Sequence, residues 1–365
     1  MTCIKKLPGV LLLVAIIAGC KKDRKSNEPK PESVHVYTSG YFYNASTGLY
    51  NACYWKDSVR ADLNIGDGNK NEAAQAIYVS GNDMYMSGWG ENSSGIATPC
   101  YWKNGVRTNL SKATATMDAF ANSIYAVGND VYVSGMHDSS YGGGNLTLPC
   151  YWKNGVRNTL SRLAYPYDGA TTSMYGSGQD IYIGGYSMDF SQNTVPCYWK
   201  NGGRTDLSRI ENTRGGYVSA IYVSGNDVYT AGSTYNDGAW LIPCYWKNGI
   251  RTDLPRLDST ENGVTMAIVV SGNDVYVAGY CYNHSMARVL CSWKNGIRTD
   301  LSNINATSGG STPTSIAVSG SDVYVTGFDQ ISSRTIPFCL KNGNPLKLDA
   351  GNSSDARVYG LFITK

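Results

Sequence analysis

A column of cysteines, two columns of charge and a scatter of loop aromatics are the residues in this 365-residue chain that could do chemistry. Cys53, Cys100, Cys150, Cys197, Cys244 and Cys291 hold one repeating position, which Phe338 takes in the last unit. Equivalent positions in neighbouring units stand too far apart to bridge, because a disulfide needs Cα atoms within about 7 Å. These cysteines are expected to be small buried apolar groups. Cys281 lies outside the column, across one hairpin from Cys291, and these two are the candidate disulfide. His35, His137 and His284 sit in different units without ligand spacing, so no metal site is expected. Asp67-Gly68-Asn69-Lys70-Asn71 lacks the glycine and the terminal acid of a calcium loop. Arg60, Arg107, Arg157, Arg204, Arg251 and Arg298 recur in one strand; Asp83, Asp130, Asp180, Asp227, Asp274 and Asp322 recur in one turn. Six copies suit a structural tie between outer and inner strands better than one binding site. The chain has no nucleophile elbow, no Ser-His-Asp set and no phosphate loop, so no catalytic residue and no cofactor is assigned.

The elements that position these residues follow from a repeat. The string Tyr-Trp-Lys-Asn-Gly recurs with small changes around Lys56, Lys103, Lys153, Lys200, Lys247, Lys294 and Lys341, at spacings of 47, 50, 47, 47, 47 and 47. A second string, Ser-Gly-Asn-Asp-Val-Tyr, falls between. Each unit reads as four short strands rich in Val, Ile, Tyr, Trp and Thr. Gly-Asn joins strands one and two, and Asn-Gly, a strong hairpin signal, joins strands three and four. The other two connections are longer. Four strands at this period predict a blade of a β-propeller. The fold class is therefore all-β, a seven-bladed propeller with four antiparallel strands per blade. The chain enters at a strand two (His35–Gly40) and leaves at a strand one (Leu361–Thr364), so the C-terminal strand is expected to join the N-terminal three. Strand one is apolar and is placed innermost, with strand four at the rim. Most Tyr and the six repeat Trp are then packing residues.

Residues 1–20 combine Lys5 and Lys6, a short apolar run and Ile17-Ala18-Gly19-Cys20. The run is too short to span a membrane and has the form of an export signal. Its end resembles the bacterial lipobox, which implies a signal peptide at 1–19 and lipidation of Cys20. Residues 20–33 are charged and proline-bearing, as a tether would be, and 34–365 form the propeller. That resemblance implies a cell-envelope protein anchored to the outer membrane through N-terminal lipid. From residue 34 onward 24 basic and 25 acidic residues nearly cancel, which gives no footprint for nucleic acid.

Residues 34–365 resemble bacterial propeller repeats of the kelch-like and SBBP type, through a glycine turn followed by a motif such as Asp274-Val275-Tyr276-Val277-Ala278-Gly279. Propellers host binding modules and enzymes alike, so the resemblance speaks to fold. By strand parity the long loops emerge on one face and the tight turns on the other, with both ends of the propeller at the tight-turn face. Function tends to sit on long loops over a rigid scaffold. Tyr41, Trp89, Tyr186, Tyr280 and Phe328 recur after strand two and are read as packing. Tyr43, Tyr141, Tyr165, Tyr167, Phe190, Tyr235, Trp240 and Tyr282 are irregular and are the ligand candidates. Aromatics beside Asn, Asp and Ser suit stacking on sugars or anchoring a protein. The expectation is a monomeric, non-catalytic module that binds a glycan or an envelope protein. The rivals are a polysaccharide lyase or hydrolase working at the channel mouth, and a structural envelope scaffold.

Overall fold

A computed structural model describes residues 33–365 except 64–69, 142–143, 164–166, 302–309, 352 and 354; of 141 and 144 it describes the backbone alone. Cys20, the signal peptide and the tether up to residue 32 lie outside the described residues. One compact unit spans Val34–Lys365.

Local sequence explains the strands. In blade five they are Gly216–Ser224, Asp227–Tyr235, Leu241–Lys247 and Ile250–Asp253. Asn248 and Gly249 both take positive φ, 51° and 82°, which is what a two-residue hairpin turn with matching twist demands. Seven such antiparallel sheets form. Blade one consists of His35–Asn44, Leu49–Lys56 and Val59–Asp62, completed by Ala356–Thr364 from the far end of the chain. Blade seven consists of Ser311–Ser319, Asp322–Ile331, Arg334–Lys341 and the short strand Asn344–Leu346. The seven strands one pack on each other in a closed ring, so the apolar strand is innermost as expected.

Every strand one also carries a β-bulge. Its extra residue is Gln75, Asn122, Thr172, Ser219, Met266, Thr314 or Tyr359. The bulge turns all seven of these side chains onto an axial channel of about 560 Å³. Toward the tight-turn face the channel is lined by Tyr78, Tyr125, Tyr175, Tyr222 and Phe362. Tyr78 lies 5.2 Å from both Tyr125 and Phe362, and Tyr175 4.5 Å from Tyr222.

The repeat Trp are all fully buried. The indole N–H of Trp55, Trp152, Trp199, Trp246 and Trp293 reaches into the preceding blade's exit loop: Trp246 donates to the Ser208 carbonyl at 3.0 Å and Trp55 to that of Asp349 at 2.7 Å. Indole and loop thus staple blade to blade. A strand-two glycine makes room for the ring: a Cβ on Gly232 would lie 2.8 Å from Trp246 Cζ3. Blade seven differs, with Phe338 and Leu340 where the others hold Cys and Trp. There the Phe338 ring presses on Gly327 instead, a compensating exchange of volume.

The tight-turn face is bound by a girdle. The turn aspartates accept from Lys103, Lys153, Lys200, Lys247, Lys294 and Lys341 at 2.7–3.0 Å. The neighbouring Asn of each Asn-Gly turn donates to the same carboxylate at 2.7–2.8 Å. Each of these lysines also lies 5.1–5.6 Å from a strand-two Tyr ring. In blade one the acid moves to the other turn, with His35 Nδ1 2.6 Å from Asp57. The expected tie between turn Asp and strand-four Arg is therefore corrected. Arg251 instead meets Asp253 at 2.5 Å and reaches along the blade to Thr234, while Arg107 meets Glu72 and Arg157 meets His137. The Arg side chain runs toward the long-loop end of its strand, away from the turn that carries the Asp.

Candidate functional site: the long-loop face

The long-loop face is built from connections more regular than their sequences look. After strand two, blades two, four, five and six share a five-residue loop opened by Asn92, Asp189, Asn236 or Asn283. The side-chain oxygen of each accepts a backbone N–H from within the loop at 2.9 Å. The fourth residue is left-handed: Gly95, Gln192, Ala239 and Met286, at φ 57–76°. Asx geometry is the signal that links them. Phe190 and Trp240 are substitutions within this one loop type, at its second and fifth positions. Inter-blade bonds hold the loops in place: Asn71, Asp118, Asp168 and Asn262 accept the amides of Tyr50, Ala97, Thr147 and Leu241 at 2.7–3.0 Å.

The candidate aromatics fall into separate groups around this face. Tyr167 meets Phe190 edge-on at 6.4 Å, and Phe190 is 76% exposed. Tyr235, at the end of its strand, and half-buried Trp240 bracket one loop. Tyr43 packs on Tyr50 at 5.4 Å, and Tyr50 on Tyr41 at 5.0 Å. Tyr282 packs on Tyr280 at 5.6 Å. Tyr165 lies outside the described residues, and of Tyr141 the backbone alone is described.

The recurring aromatics read as packing do more than pack. Tyr41, Trp89, Tyr186, Tyr280 and Phe328 are all half-exposed. Three of them carry cations: Arg357 stands 5.8 Å from Tyr41 and 4.8 Å from Phe328, and Arg288 stands 5.1 Å from Tyr280. Sequence reasoning missed both arginines because neither belongs to the repeating column. Burial raises the Tyr41 and Tyr280 hydroxyls above their ordinary pKa. These rings are therefore neutral donors and stacking surfaces.

The axial channel runs between the strands one. Its described wall bears hydroxyls, the amides of Gln75 and Asn122, Met266 and aromatic rings. Several of the polar groups tie blades together: Asn122 donates to the Thr171 carbonyl at 2.7 Å and Thr314 to that of Val358 at 2.9 Å. Among the described residues no three of His, Cys, Asp and Glu gather as a metal ion would need.

All eight described cysteines are buried thiols. Burial pushes Cys100, Cys150, Cys197 and Cys339 up to about 12, so they are inert. Cys281 pairs with Val289 in register, so Cys291 is its diagonal neighbour, with the sulfurs 3.8 Å apart and unbonded. The Cys291 thiol beside it holds Cys281 down, while burial pushes Cys291 up.

No family model matches the chain, and no curated protein matches it. Solved structures do resemble it. A puromycin-hydrolysing peptidase of Mycobacterium tuberculosis is 10% identical over 86% of this chain and 51% of its own, with a TM-score of 0.56. This chain spans about half of that peptidase. A periplasmic gluconolactonase of Pseudomonas aeruginosa is 13% identical, covering 90% of this chain and 99% of its own, at a TM-score of 0.44. AofleA from Arthrobotrys oligospora is 12% identical over 80% and 88%, at 0.43. At such identities the likeness concerns the fold alone.

Proposed function

We propose that this protein is an exported binding module of the kelch-like, SBBP kind, anchored to the outer membrane by lipid on Cys20, that holds a glycan on its long-loop face. The observation that carries the reading is the set of exposed and half-exposed rings there, Tyr43, Tyr167, Phe190, Tyr235, Trp240 and Tyr282, set on pinned loops beside hydroxyl and amide groups. Flat rings at low entropic cost, rimmed by hydrogen-bonding groups, suit the apolar face and hydroxyl edge of a sugar. Among the described residues the channel wall carries no Asp, Glu, His, Lys or Arg, which favours binding over acid–base catalysis, a reaction that needs a titratable group within reach of the substrate.

The test is a glycan array probed with the full-length protein in detergent, repeated with Tyr167→Ala, Trp240→Ala and Tyr282→Ala. Selective binding is expected, weakened about tenfold by at least one of these variants. A blank array removes the glycan and moves the site to an envelope protein, to be sought by cross-linking in intact cells. Labelled palmitate should enter the wild-type chain and not Cys20→Ala; equal labelling of both would remove the anchor.

A further inference from the structure

Two arginines on the long-loop face have no carboxylate partner among the described residues. The strand-four arginines Arg60, Arg204, Arg251 and Arg298 each meet an aspartate two residues on. Arg288 instead donates from Nη1 to the Thr312 hydroxyl at 2.8 Å and from Nε toward the Tyr282 hydroxyl at 3.4 Å. Both acceptors are hydroxyls. Arg357 lies between the rings of Phe328 and Tyr41, and its Nε is buried with no hydrogen-bond partner. The acid nearest in sequence is Asp355. It accepts from Tyr50 at 3.1 Å and from Thr335, and forms no ion pair with Arg357.

The two guanidiniums flank one place. Arg288, from blade six, bonds Thr312 in blade seven; Thr312 is the cross-strand partner of Phe328; and Arg357, in blade one, stacks on Phe328. Each guanidinium has an aromatic ring against its face, so what it offers a ligand is the part of its edge not taken by Thr312 and Tyr282 at Arg288 or buried at the Arg357 Nε. A guanidinium edge matches a carboxylate bidentately. Neither half-buried cation has a carboxylate in direct contact: Arg357 has the Tyr359 hydroxyl and the more distant charge of Asp355, and an anion at this strand end would complete both. The outward faces of Tyr41 and Tyr280 beside them can stack a sugar ring.

We infer that the long-loop end of blade seven, bracketed by Arg288 and Arg357, takes the carboxylate of an acidic glycan. This rests on the glycan reading above and names its substrate class.

The test is a titration of the full-length protein in detergent with uronic-acid oligosaccharides (galacturonate, alginate and hyaluronan oligomers) and their carboxyl-reduced, neutral counterparts. At least one acidic oligomer is expected to bind about tenfold more tightly than its neutral form, and less tightly as salt rises. Arg357→Gln and Arg288→Gln should each remove about tenfold of that affinity, and Arg357→Lys recovers only part of it, because an ammonium keeps the charge without the planar fork; melting curves establish that each variant is folded. Equal affinity for acidic and neutral forms overturns the inference, as does wild-type affinity in the Gln variants. Neutral glycans bound in a Tyr282-dependent way would leave the glycan reading standing while this one falls. No glycan bound at all removes both.

Discussion

Asp329 is a carboxyl group in the wrong company. It is 1% exposed, its Oδ1 accepts from Ser311, and its Oδ2 is buried with no partner. Its cross-strand neighbours are Ser311 and Ile336, neither of them charged. Its place in the blade explains this. Other blades send a strand-four arginine toward the same strand-two position, as Arg157 reaches His137 and Arg251 reaches Thr234. In blade seven that arginine is Pro345. Burial therefore raises the Asp329 pKa. An acid whose folded pKa is raised destabilises the fold once pH exceeds the unfolded value of about 3.9, because the unfolded chain ionises more readily. Asp329→Asn is expected to raise the melting temperature near pH 7. It should change nothing at about pH 3, where both states carry the proton. Calorimetry at the two pH values checks this; a variant equally or less stable near pH 7 shows that Asp329 ionises without penalty.

At the scale of the element, the strand-two glycine shows what the repeat encodes and what it hides. A Cβ on Gly232 would stand 2.1 Å from the Tyr217 carbonyl oxygen as well as against Trp246. Gly225, in the tight turn of the same blade, has φ of 59° and open space around it. Gly232→Ala is expected to cost about 3 kcal/mol or more through overpacking. Gly225→Ala should cost about 1 kcal/mol through backbone strain alone. Denaturant titration ranks the two; the reverse order would mean that the Trp246 contact is soft. Both glycines recur in the sequence, and only the turn glycine announces its reason there. Strand number, turn type and loop parity were legible because each rests on local spacing. The partner of the turn aspartate was not. Asp227 and Arg251 recur at the same period, yet Lys247 closes on Asp227 while Arg251 runs to the other end of the strand. Direction along a strand is a three-dimensional fact that period alone does not carry. For the same reason Arg288 and Arg357 went unread: they bracket blade seven only once the ring has closed. Cys281 and Cys291 also looked opposed on one hairpin, and the register makes them diagonal.

At the scale of the molecule, closure decides whether seven blades make one cooperative unit. Blade one borrows its innermost strand, Ala356–Thr364, from the C-terminal end. That strand pairs with His35–Phe42 and presents buried Ala356 and Val358 to the core. Thr314 of blade seven bonds the Val358 carbonyl, and Phe362 completes the aromatic ring against Tyr78. The same strand brings Tyr359 to the channel and Arg357 to the long-loop face. Ring closure and the proposed anion site thus depend on one segment. Without it, the inner edge of blade one would present unpaired backbone along a long strand, a template for aggregation. Deleting residues 356–365 should abolish the single cooperative melting transition and produce oligomers by size exclusion, with the remaining sequence intact. Synthetic peptide 355–365 added during refolding should restore a monomeric species, because the vacant position is bounded by preformed partners on both sides. A truncated chain that melts like the full one would show that the other six blades hold the ring without a closing strand. The Arg357 site would be lost in that chain all the same, which makes glycan binding and melting separable readouts of the one deletion.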